Sequence, residues 1–173
     1  MIFCYSATKK TKVYAEVLGA VLDSPVFMLK SDLDPADKFT FKLIARCLWL
    51  TFTKKSTPVL NMPAKDNFNK DEIYICCTVW GGYPAAPIRF FLENAPIKGK
   101  KVHMILTASV SHMKYIDNGK KTLADAGCIP GNVEVFATDS KATVERDVIK
   151  SHICQLMFNE GKADEDKTDE DKT

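Results

Sequence analysis

The sequence lacks any apolar run long enough to cross a bilayer. The nearest candidate, residues 39–52, is interrupted by Lys42 and Arg46 and is too short for a transmembrane helix. The N-terminal residues also lack the charged start, the long apolar stretch and the small-residue cleavage site of a signal peptide. We therefore expect a cytoplasmic protein without a membrane span.

Metal-binding and disulfide patterns are also missing. The chain has 6 cysteines and 3 histidines, but it contains no Cys-x-x-Cys pair, and the histidines have no ligand spacing. Most cysteines lie inside apolar segments, which favours reduced thiols, and none has a visible base partner. We expect no metal site and no catalytic residue among Cys4, Cys47, Cys76, Cys77, Cys128, Cys154, His103, His112 and His152.

Three common enzyme signatures are absent as well: Gly-x-Ser-x-Gly, the Walker phosphate loop and Gly-x-Gly-x-x-Gly. The net charge is only +2, although residues 161–173 hold three lysines against six acidic residues, so the rest of the chain carries about five net positive charges. This charge is scattered, and no basic-aromatic patch accompanies it. We therefore expect no binding to nucleic acid.

The remaining pattern alternates strands and helices. Five near-continuous apolar runs rich in β-branched residues are typical of strands covered on both faces, and helical patterns between them imply a parallel sheet. We predict one α/β domain over residues 1–160, a three-layer α/β/α sandwich with a five-stranded parallel sheet. The predicted strands are 2–6, 26–29, 73–78, 102–107 and 133–137, and the predicted helices are about 11–22, about 35–54, one opened by Pro84 and Pro87, about 117–126 and about 140–158.

Three segments need separate interpretation. The helix over about 35–54 is apolar nearly all round, and we expect it to pack into a core on several sides, with a partner interface or a membrane surface as the alternative. Residues 57–69 are predicted to be irregular coil. Residues 161–173 contain Asp-Glu-Asp-Lys-Thr twice and no apolar residue beyond Ala163, which predicts a solvated, disordered acidic tail.

Three loops at one edge of the predicted sheet are suited to a ligand, since parallel sheets bind ligands beyond the carboxyl ends of their strands. The first loop is rich in hydroxyls and precedes a helix, which turns backbone N–H groups toward a phosphate. The second places two aromatic residues around Gly-Gly, and the third is small and polar. The candidate binding residues are Ser6, Thr8, Lys9, Lys10 and Thr11, then Thr78, Val79, Trp80, Gly81, Gly82 and Tyr83, and finally Ala108, Ser109, Val110 and Ser111.

Each candidate also has an interpretation without a ligand. Hydroxyls are common caps at helix starts, Trp80 is alternatively a core residue, and Tyr83 is alternatively a surface residue. Serines are common in loops whatever their function. The coincidence of a strand end, a helix start and a second suitable loop favours the ligand interpretation.

Two of these loops resemble motifs of the flavodoxin-like proteins. The first, Ser6-x-Thr8-x-x-Thr11, is similar to the family's phosphate loop, Ser/Thr-x-Thr-Gly-Asn-Thr. Residues 78–88 resemble the family's stretch Pro-Val-Trp-Gly-Gly-x-Pro-Ala-Pro-Pro-Ile. The resemblance covers residues 1–158 and implies strand order 2-1-3-4-5, non-covalent binding of flavin mononucleotide (FMN) and electron transfer. It implies that the first loop holds the phosphate and that the other two flank the isoalloxazine ring.

The phosphate loop departs from the family pattern at two positions. Lys9 and Lys10 stand where the family has Gly and Asn. If the Gly position needs a left-handed backbone, a lysine there costs about 1–2 kcal/mol. In return, the two lysines add positive charge where a phosphate would bind.

The resemblance leaves three functions open. An FMN-dependent electron carrier ranks first. A flavodoxin-fold interaction protein that has lost flavin ranks second, because of Lys9 and Lys10. An NAD(P)H-dependent flavin or quinone reductase ranks third. The sequence does not identify redox partner proteins, and it leaves a homodimer open.

Overall fold

Strands and helices alternate along the chain, as the sequence pattern predicts. The computed structural model describes residues 1–34, 41–138 and 146–154, without the side chains of residues 42–44. The strands are β1 (Ile2–Tyr5), β2 (Val26–Met28), β3 (Glu72–Trp80), β4 (Tyr83–Pro84), β5 (Lys101–Ala108) and β6 (Ile129–Ala137). The helices are α1 (Lys10–Val21), α2 (Phe41–Phe52), α3 (Ala86–Asn94), α4 (Met113–Asp125) and α5 (146–154), with a 3₁₀ helix at Lys65–Phe68.

One sheet joins the strands in the order β2-β1-β3-β5-β6, and these strands run parallel. This confirms the predicted order, while β4 is an additional strand that pairs antiparallel with the end of β3. The register sets Tyr5 opposite Cys77 and Thr78 opposite Thr107, so β1, β3 and β5 end at the same edge. The order reverses between β1 and β3, which is where a parallel sheet forms a ligand crevice.

Hydrophobic side chains cover both faces of the sheet, because successive residues of a strand point to opposite sides. Ile2 and Cys4 of β1 belong to a buried cluster with residues of α1 and α5. Phe3 and Tyr5 belong to a larger cluster that contains residues of α3 and α4. The sheet therefore lies between two helical layers, which confirms the three-layer architecture and explains why the strands are near-continuously apolar.

Two predicted helix starts differ from the structure. The sequence pattern places Pro84 at the start of the third helix, and this is wrong. The chain first folds back on β3, so Pro84 lies in β4 and α3 begins at Ala86, with Pro87 in its first turn. The fourth helix starts earlier than predicted, at Met113, because His112 Nδ1 accepts the Lys114 N–H at 3.2 Å and caps it.

Some predictions lie partly or wholly outside the described residues. These are the proposed helix segments 35–40, 140–145 and 155–158 and the acidic tail, residues 161–173. Within residues 57–69, which the sequence pattern assigns to irregular coil, the structure contains the 3₁₀ helix.

The α2 helix contacts the rest of the protein along one side. Leu50 is buried in a small apolar cluster beneath the helix. Phe41 and Phe52 are 86% and 83% exposed, and Leu48 and Trp49 are each 52% exposed. The expectation that this helix packs into a core on several sides is therefore wrong for its described side chains. No described helix is long and apolar enough to cross a membrane.

Candidate functional site

Two adjoining cavities open at the edge where β1, β3 and β5 end. The α1 cavity, of about 400 Å³, lies beside the start of α1, and the hairpin cavity, of about 410 Å³, lies beside the β3–β4 turn. Small-molecule sites have volumes of roughly 300–1,000 Å³. Val79, Ala108 and Ser109 line both cavities, which therefore share a wall. The other lining residues are Thr8, Lys10, Thr78, Thr107 and Thr138 in the α1 cavity, and Gly81, Gly82, Tyr83, Val110, His112, Lys114, Tyr115 and Asn118 in the hairpin cavity.

The α1 helix begins without a capping side chain. Its N-cap residue, Lys9, makes no side-chain hydrogen bond to the helix, and its first turn contains no acidic residue. The first N–H groups of a helix have no partner within the helix, and the helix dipole places partial positive charge at this end. The start of α1 therefore presents hydrogen-bond donors and positive potential beside the α1 cavity.

The backbone of Lys9 is left-handed, with φ 63° and ψ −8°. This is the position where the resemblance places a glycine. A residue with a Cβ pays about 1–2 kcal/mol in this conformation, because the Cβ approaches the following carbonyl oxygen. The loop thus has a backbone that glycine adopts without strain and that lysine adopts only with strain.

The three hydroxyls of the first loop are in different situations. Ser6 Oγ is buried and has no hydrogen-bond partner among the described residues. Thr8 lines the α1 cavity. The Thr11 hydroxyl lies 2.7 Å from that of Thr107 on β5, and both residues are buried. The Thr11 hydroxyl therefore holds α1 to the sheet, whereas Ser6 has an unsatisfied buried oxygen, which is costly in a protein interior.

A tight hairpin forms the outer wall of the hairpin cavity. Val79 pairs with Pro84 and Trp80 with Tyr83, so Gly81 and Gly82 make a two-residue turn. Their φ angles are 55° and 92°, and positive φ at both central residues is the signature of the turn that matches strand twist. A Cβ on Gly81 would clash with Thr51 Cγ2 at the end of α2. The glycine pair is therefore required both by the turn and by the close approach of α2.

Side-chain hydrogen bonds hold this hairpin from two sides. Asn118 Nδ2 on α4 donates to the Gly82 carbonyl at 2.8 Å. The guanidinium of Arg89 donates to the carbonyls of Pro84 at 3.3 Å, Leu50 at 3.0 Å and Lys55 at 2.7 Å. Because these carbonyls belong to β4, the end of α2 and the segment after it, Arg89 ties α2 to the hairpin. Burial lowers the pKa of Arg89, but a guanidinium remains charged.

Sequence reasoning missed both Arg89 and Asn118 as determinants of the site. Arg89 is only 8% exposed, and it follows Pro87 and Ile88 in the otherwise apolar start of α3. A single arginine within an apolar helix start is the one sequence signal that could have indicated it. Asn118 lies on the polar sequence of α4, where no local pattern distinguishes it.

Tyrosines provide the aromatic surface of the hairpin cavity. Tyr83 and Tyr115 line it, and sequence reasoning identified Tyr83 but not Tyr115. Trp80 lines neither of the two cavities and packs edge-on against Tyr5, with ring centroids 5.9 Å apart. The ammonium of Lys54 lies 5.1 Å from the centre of the Tyr83 ring. The hairpin thus directs one aromatic ring into the core and another toward the cavity.

The β5–α4 loop closes the opposite wall. Ala108 and Ser109 border both cavities, and Val110 borders the hairpin cavity while remaining 60% exposed. Ser111 is exposed and lines neither cavity; its Oγ lies 3.5 Å from the Val135 carbonyl oxygen. Of the predicted third loop, the structure therefore brings the first three residues to the site.

The cysteines are free, and most are buried. Burial raises the pKa of the Cys77 thiol to about 12, and it raises the pKa values of Cys4 and Cys76 well above the ordinary range. Such thiols stay protonated and are poor nucleophiles. Among the described residues, no group of three or more His, Cys, Asp and Glu side chains could hold a metal ion.

Solved structures with the same arrangement of elements include several flavoproteins. A flavoprotein from Lactobacillus acidophilus NCFM, solved in complex with FMN, matches with a TM-score of 0.64 and 26% identity, over 78% of this chain and 90% of that chain. A Bacteroides uniformis ATCC 8492 protein, provisionally assigned as a flavoprotein, matches with a TM-score of 0.68 and 21% identity, over 88% and 96%. The two-electron reduced flavodoxin of Megasphaera elsdenii matches with a TM-score of 0.51 and 16% identity, over 87% and 96%.

Comparisons of sequence alone find no relative: no family model and no curated protein matches the chain. The parallel sheet with helices on both faces and these structural matches together identify the fold. The chain has a flavodoxin-like fold.

Proposed function

We propose that this protein binds FMN non-covalently and transfers electrons through it. The observation that carries the proposal is the pair of adjoining cavities at the reversal of strand order, one beside the uncapped start of α1 and one beside a glycine hairpin with two tyrosines. A phosphate suits the first environment and a planar aromatic ring suits the second. A similar solved structure is a complex with FMN, which supports the same ligand.

The start of α1 would hold the FMN phosphate. Its first-turn N–H groups, the Thr8 hydroxyl and the Lys10 ammonium supply donors beside the cavity. Ser6 Oγ, which has no partner among the described residues, would gain one if it contacts the phosphate. Thr11 would contribute its backbone N–H, because its hydroxyl is already bonded across the core. The left-handed Lys9 precedes right-handed residues, and successive N–H groups in such a backbone form anion-binding concavities.

The hairpin cavity would hold the isoalloxazine ring. The Gly81–Gly82 turn lets backbone groups approach a planar ligand closely, and Tyr83 and Tyr115 offer aromatic faces. The side chain of Trp80 packs on Tyr5 beneath the hairpin, so we propose that it supports the ring site from below. Direct contact between Trp80 and the isoalloxazine ring stays a prediction.

The residues shared by both cavities would line the middle of the ligand. Val79 comes from the end of β3, Ala108 is the last residue of β5, and Ser109 follows it. Bound FMN would supply one- and two-electron redox chemistry. The chain's own residues would orient it, fix its charged end and limit its contact with water.

Titration with FMN and with riboflavin tests the proposal, because the two ligands differ only in the phosphate. We expect FMN to bind and to show the absorbance changes of a bound flavin. We also expect FMN to bind at least about tenfold more tightly than riboflavin, since each charge-assisted hydrogen bond contributes about 1.5–3 kcal/mol. Absence of binding would contradict the proposal, and equal affinities would contradict the phosphate site.

A matched pair of lysine variants locates the phosphate. Lys10 lines the α1 cavity, whereas Lys12 on the same helix lies 3.5 Å from Glu16 in an exposed ion pair. We expect Lys10→Gln to weaken FMN binding about tenfold without changing riboflavin binding. Lys12→Gln should leave both affinities nearly unchanged. An equal loss in both variants would indicate a general charge effect and not a site at α1.

A second candidate, a fold that has lost flavin, is favoured by two observations. Lys9 is strained where glycine would not be, and the Thr11 hydroxyl is committed to Thr107. For this candidate the purified protein would be colourless and would ignore added FMN. The same titration therefore distinguishes the two candidates.

A further inference from the structure

The outer side of α2 carries an apolar stripe. Phe41, Leu48 and Phe52 are seven and four residues apart, so they lie along one line of the helix over about 16 Å. They are 86%, 52% and 83% exposed, and Trp49, beside the stripe, is 52% exposed. Leu50, two positions from Leu48, lies on the opposite side and is buried. The helix therefore turns its aromatic residues outward and anchors itself through its other side.

The described residues leave most of this stripe exposed. Among the described residues, the contacts that hold the end of α2 are the buried side chain of Leu50, the hydrogen bond from Arg89 to the Leu50 carbonyl and the approach of Thr51 to Gly81. A contiguous exposed apolar patch of this kind marks an interaction surface on a soluble protein. Its occupant must be apolar where it meets the stripe.

Two lysines lie at the C-terminal end of the stripe. Lys54 and Lys55 follow α2 directly and are exposed, and Lys55 Nζ lies 5.0 Å from the centre of the Trp49 ring. Neither lysine pairs with a carboxylate among the described residues, whereas Arg46 lies on the side of the helix that bears Leu50 and pairs there with Asp32 at 2.7 Å. The patch thus combines an apolar stripe with positive charge at one end, and its occupant should carry negative charge beside an apolar interior.

We propose that α2 docks on an anionic membrane surface, lying in the plane of the headgroups with its stripe among the acyl chains. Amphipathic helices that bind at this depth carry Trp, Phe and Leu on one face and Lys or Arg beside it. A half-exposed tryptophan next to lysine suits the boundary between headgroups and hydrocarbon. Docking would set the β3–β4 hairpin close to the membrane, because Thr51 of α2 touches Gly81. The proposal does not depend on FMN binding.

Co-sedimentation of the full-length protein with vesicles tests this surface. We expect binding to vesicles of phosphatidylcholine mixed with phosphatidylglycerol, weaker binding to phosphatidylcholine alone, and loss of the difference at high salt. The fluorescence of Trp49 should shift to shorter wavelength on binding, and Trp49→Phe should abolish that shift. Absence of binding to the anionic vesicles would overturn the proposal.

Surface variants show which residues bind. We expect the double variant Leu48→Ser with Phe52→Ser, and separately Lys54→Gln with Lys55→Gln, each to weaken vesicle binding about tenfold or more. Val148→Ser removes an apolar side chain that is 50% exposed on α5, on the other face of the sheet, and should leave binding unchanged. Circular dichroism would verify that each variant is folded. An equal loss in Val148→Ser would overturn the proposal.

Sedimentation of the protein without lipid completes the test. If Phe52→Ser abolishes a concentration-dependent dimer and no vesicle binding is seen, the stripe is an interface between copies of this chain, and the membrane proposal fails. If the protein is monomeric and binds anionic vesicles through the stripe, the proposal holds.

Discussion

The start of α1 and the β3–β4 hairpin border the same site, but different interactions determine their shapes. The hairpin has glycines at both positive-φ positions, and Asn118 and Arg89 bond to its carbonyls. At the start of α1, a lysine occupies the left-handed position, and no side chain caps the helix. The hairpin is therefore complete without a ligand, whereas the start of α1 has a strained residue and first-turn N–H groups without partners in the helix, to which an anion could bind.

The two regions should therefore respond differently to substitution. Substitutions of Gly81 and Gly82 should mainly change the stability of the protein, because their constraints are intramolecular. Substitutions of the α1-side residues that line the cavity, Thr8 and Lys10, should mainly change ligand binding. A region with unsatisfied donors is a better indicator of a binding site than a region that is merely well packed.

The largest predicted effect concerns the buried thiols of the strands that precede the two regions. Burial raises the pKa of Cys77 to about 12. An unfolded thiol ionises near pH 9 while the folded one stays protonated, so stability is fully present below about pH 9. It then falls by up to about 1.4 kcal/mol per pH unit and per thiol as the pH rises toward 12. Urea unfolding across this range measures the decline.

Removing one thiol checks that assignment. Cys77→Ala on β3 and Cys4→Ala on β1 should each flatten the alkaline decline, since burial raises both thiol pKa values. Cys47→Ala should flatten it less, because this thiol is only partly buried. An unchanged slope in Cys77→Ala would contradict the prediction.

The next largest effect is expected at the hairpin. Gly81→Ala combines a positive φ with a clash against Thr51 Cγ2, and should destabilise the protein by about 2–3 kcal/mol in urea unfolding. Thr51→Ser removes that methyl group and keeps the hydroxyl that donates to the Cys47 carbonyl. In the Thr51→Ser background, Gly81→Ala should cost about 1 kcal/mol less. Equal costs in the two backgrounds would refute the clash.

The parallel sheet and its ligand-binding edge were predicted from strong, local patterns, and the strand order was predicted from the resemblance to flavodoxin-like proteins. Apolar runs, helix periodicity and the Gly81–Gly82 pair are all visible in short windows of sequence. The hairpin itself was not predicted, since a two-residue strand such as β4 has no pattern of its own. Arg89 and Asn118 were missed because their roles arise from elements that come together only in the folded protein.

A smaller effect is expected from the hydroxyl pair that joins α1 to β5. Thr11→Val or Thr107→Val alone leaves a buried hydroxyl unpaired and should destabilise the protein by about 1–2 kcal/mol. The double variant should cost less than the sum, because both polar groups are then gone. Chemical unfolding of the four proteins measures the coupling, and additive costs would contradict it.

This pair also explains why the phosphate loop was only partly predictable. Sequence similarity assigns Thr11 to the phosphate, but its hydroxyl finds a partner 96 positions away in the chain. The exposed face of α2 is a comparable case. Composition alone predicts burial for an apolar helix, and only the packed structure shows which of its sides remains uncovered.

The smallest effect is expected at Lys9. Lys9→Gly removes the cost of a left-handed backbone and should stabilise the protein by about 0.5–1 kcal/mol, after the greater flexibility of glycine in the unfolded chain is counted. Lys9→Ala is the matched control, because alanine retains the Cβ. Urea unfolding should therefore separate the two variants, and equal stabilities would show that Lys9 is not strained.

The phosphorus resonance of bound FMN tests the central claim most directly. Free phosphate monoesters take up a proton near pH 6. A phosphate among the N–H groups of α1 and the Lys10 ammonium should stay dianionic, since hydrogen bonds and positive charge favour the charged form. We predict that the bound resonance does not titrate between about pH 5 and 8. A resonance that titrates like free FMN, or no bound resonance at all, would contradict the account.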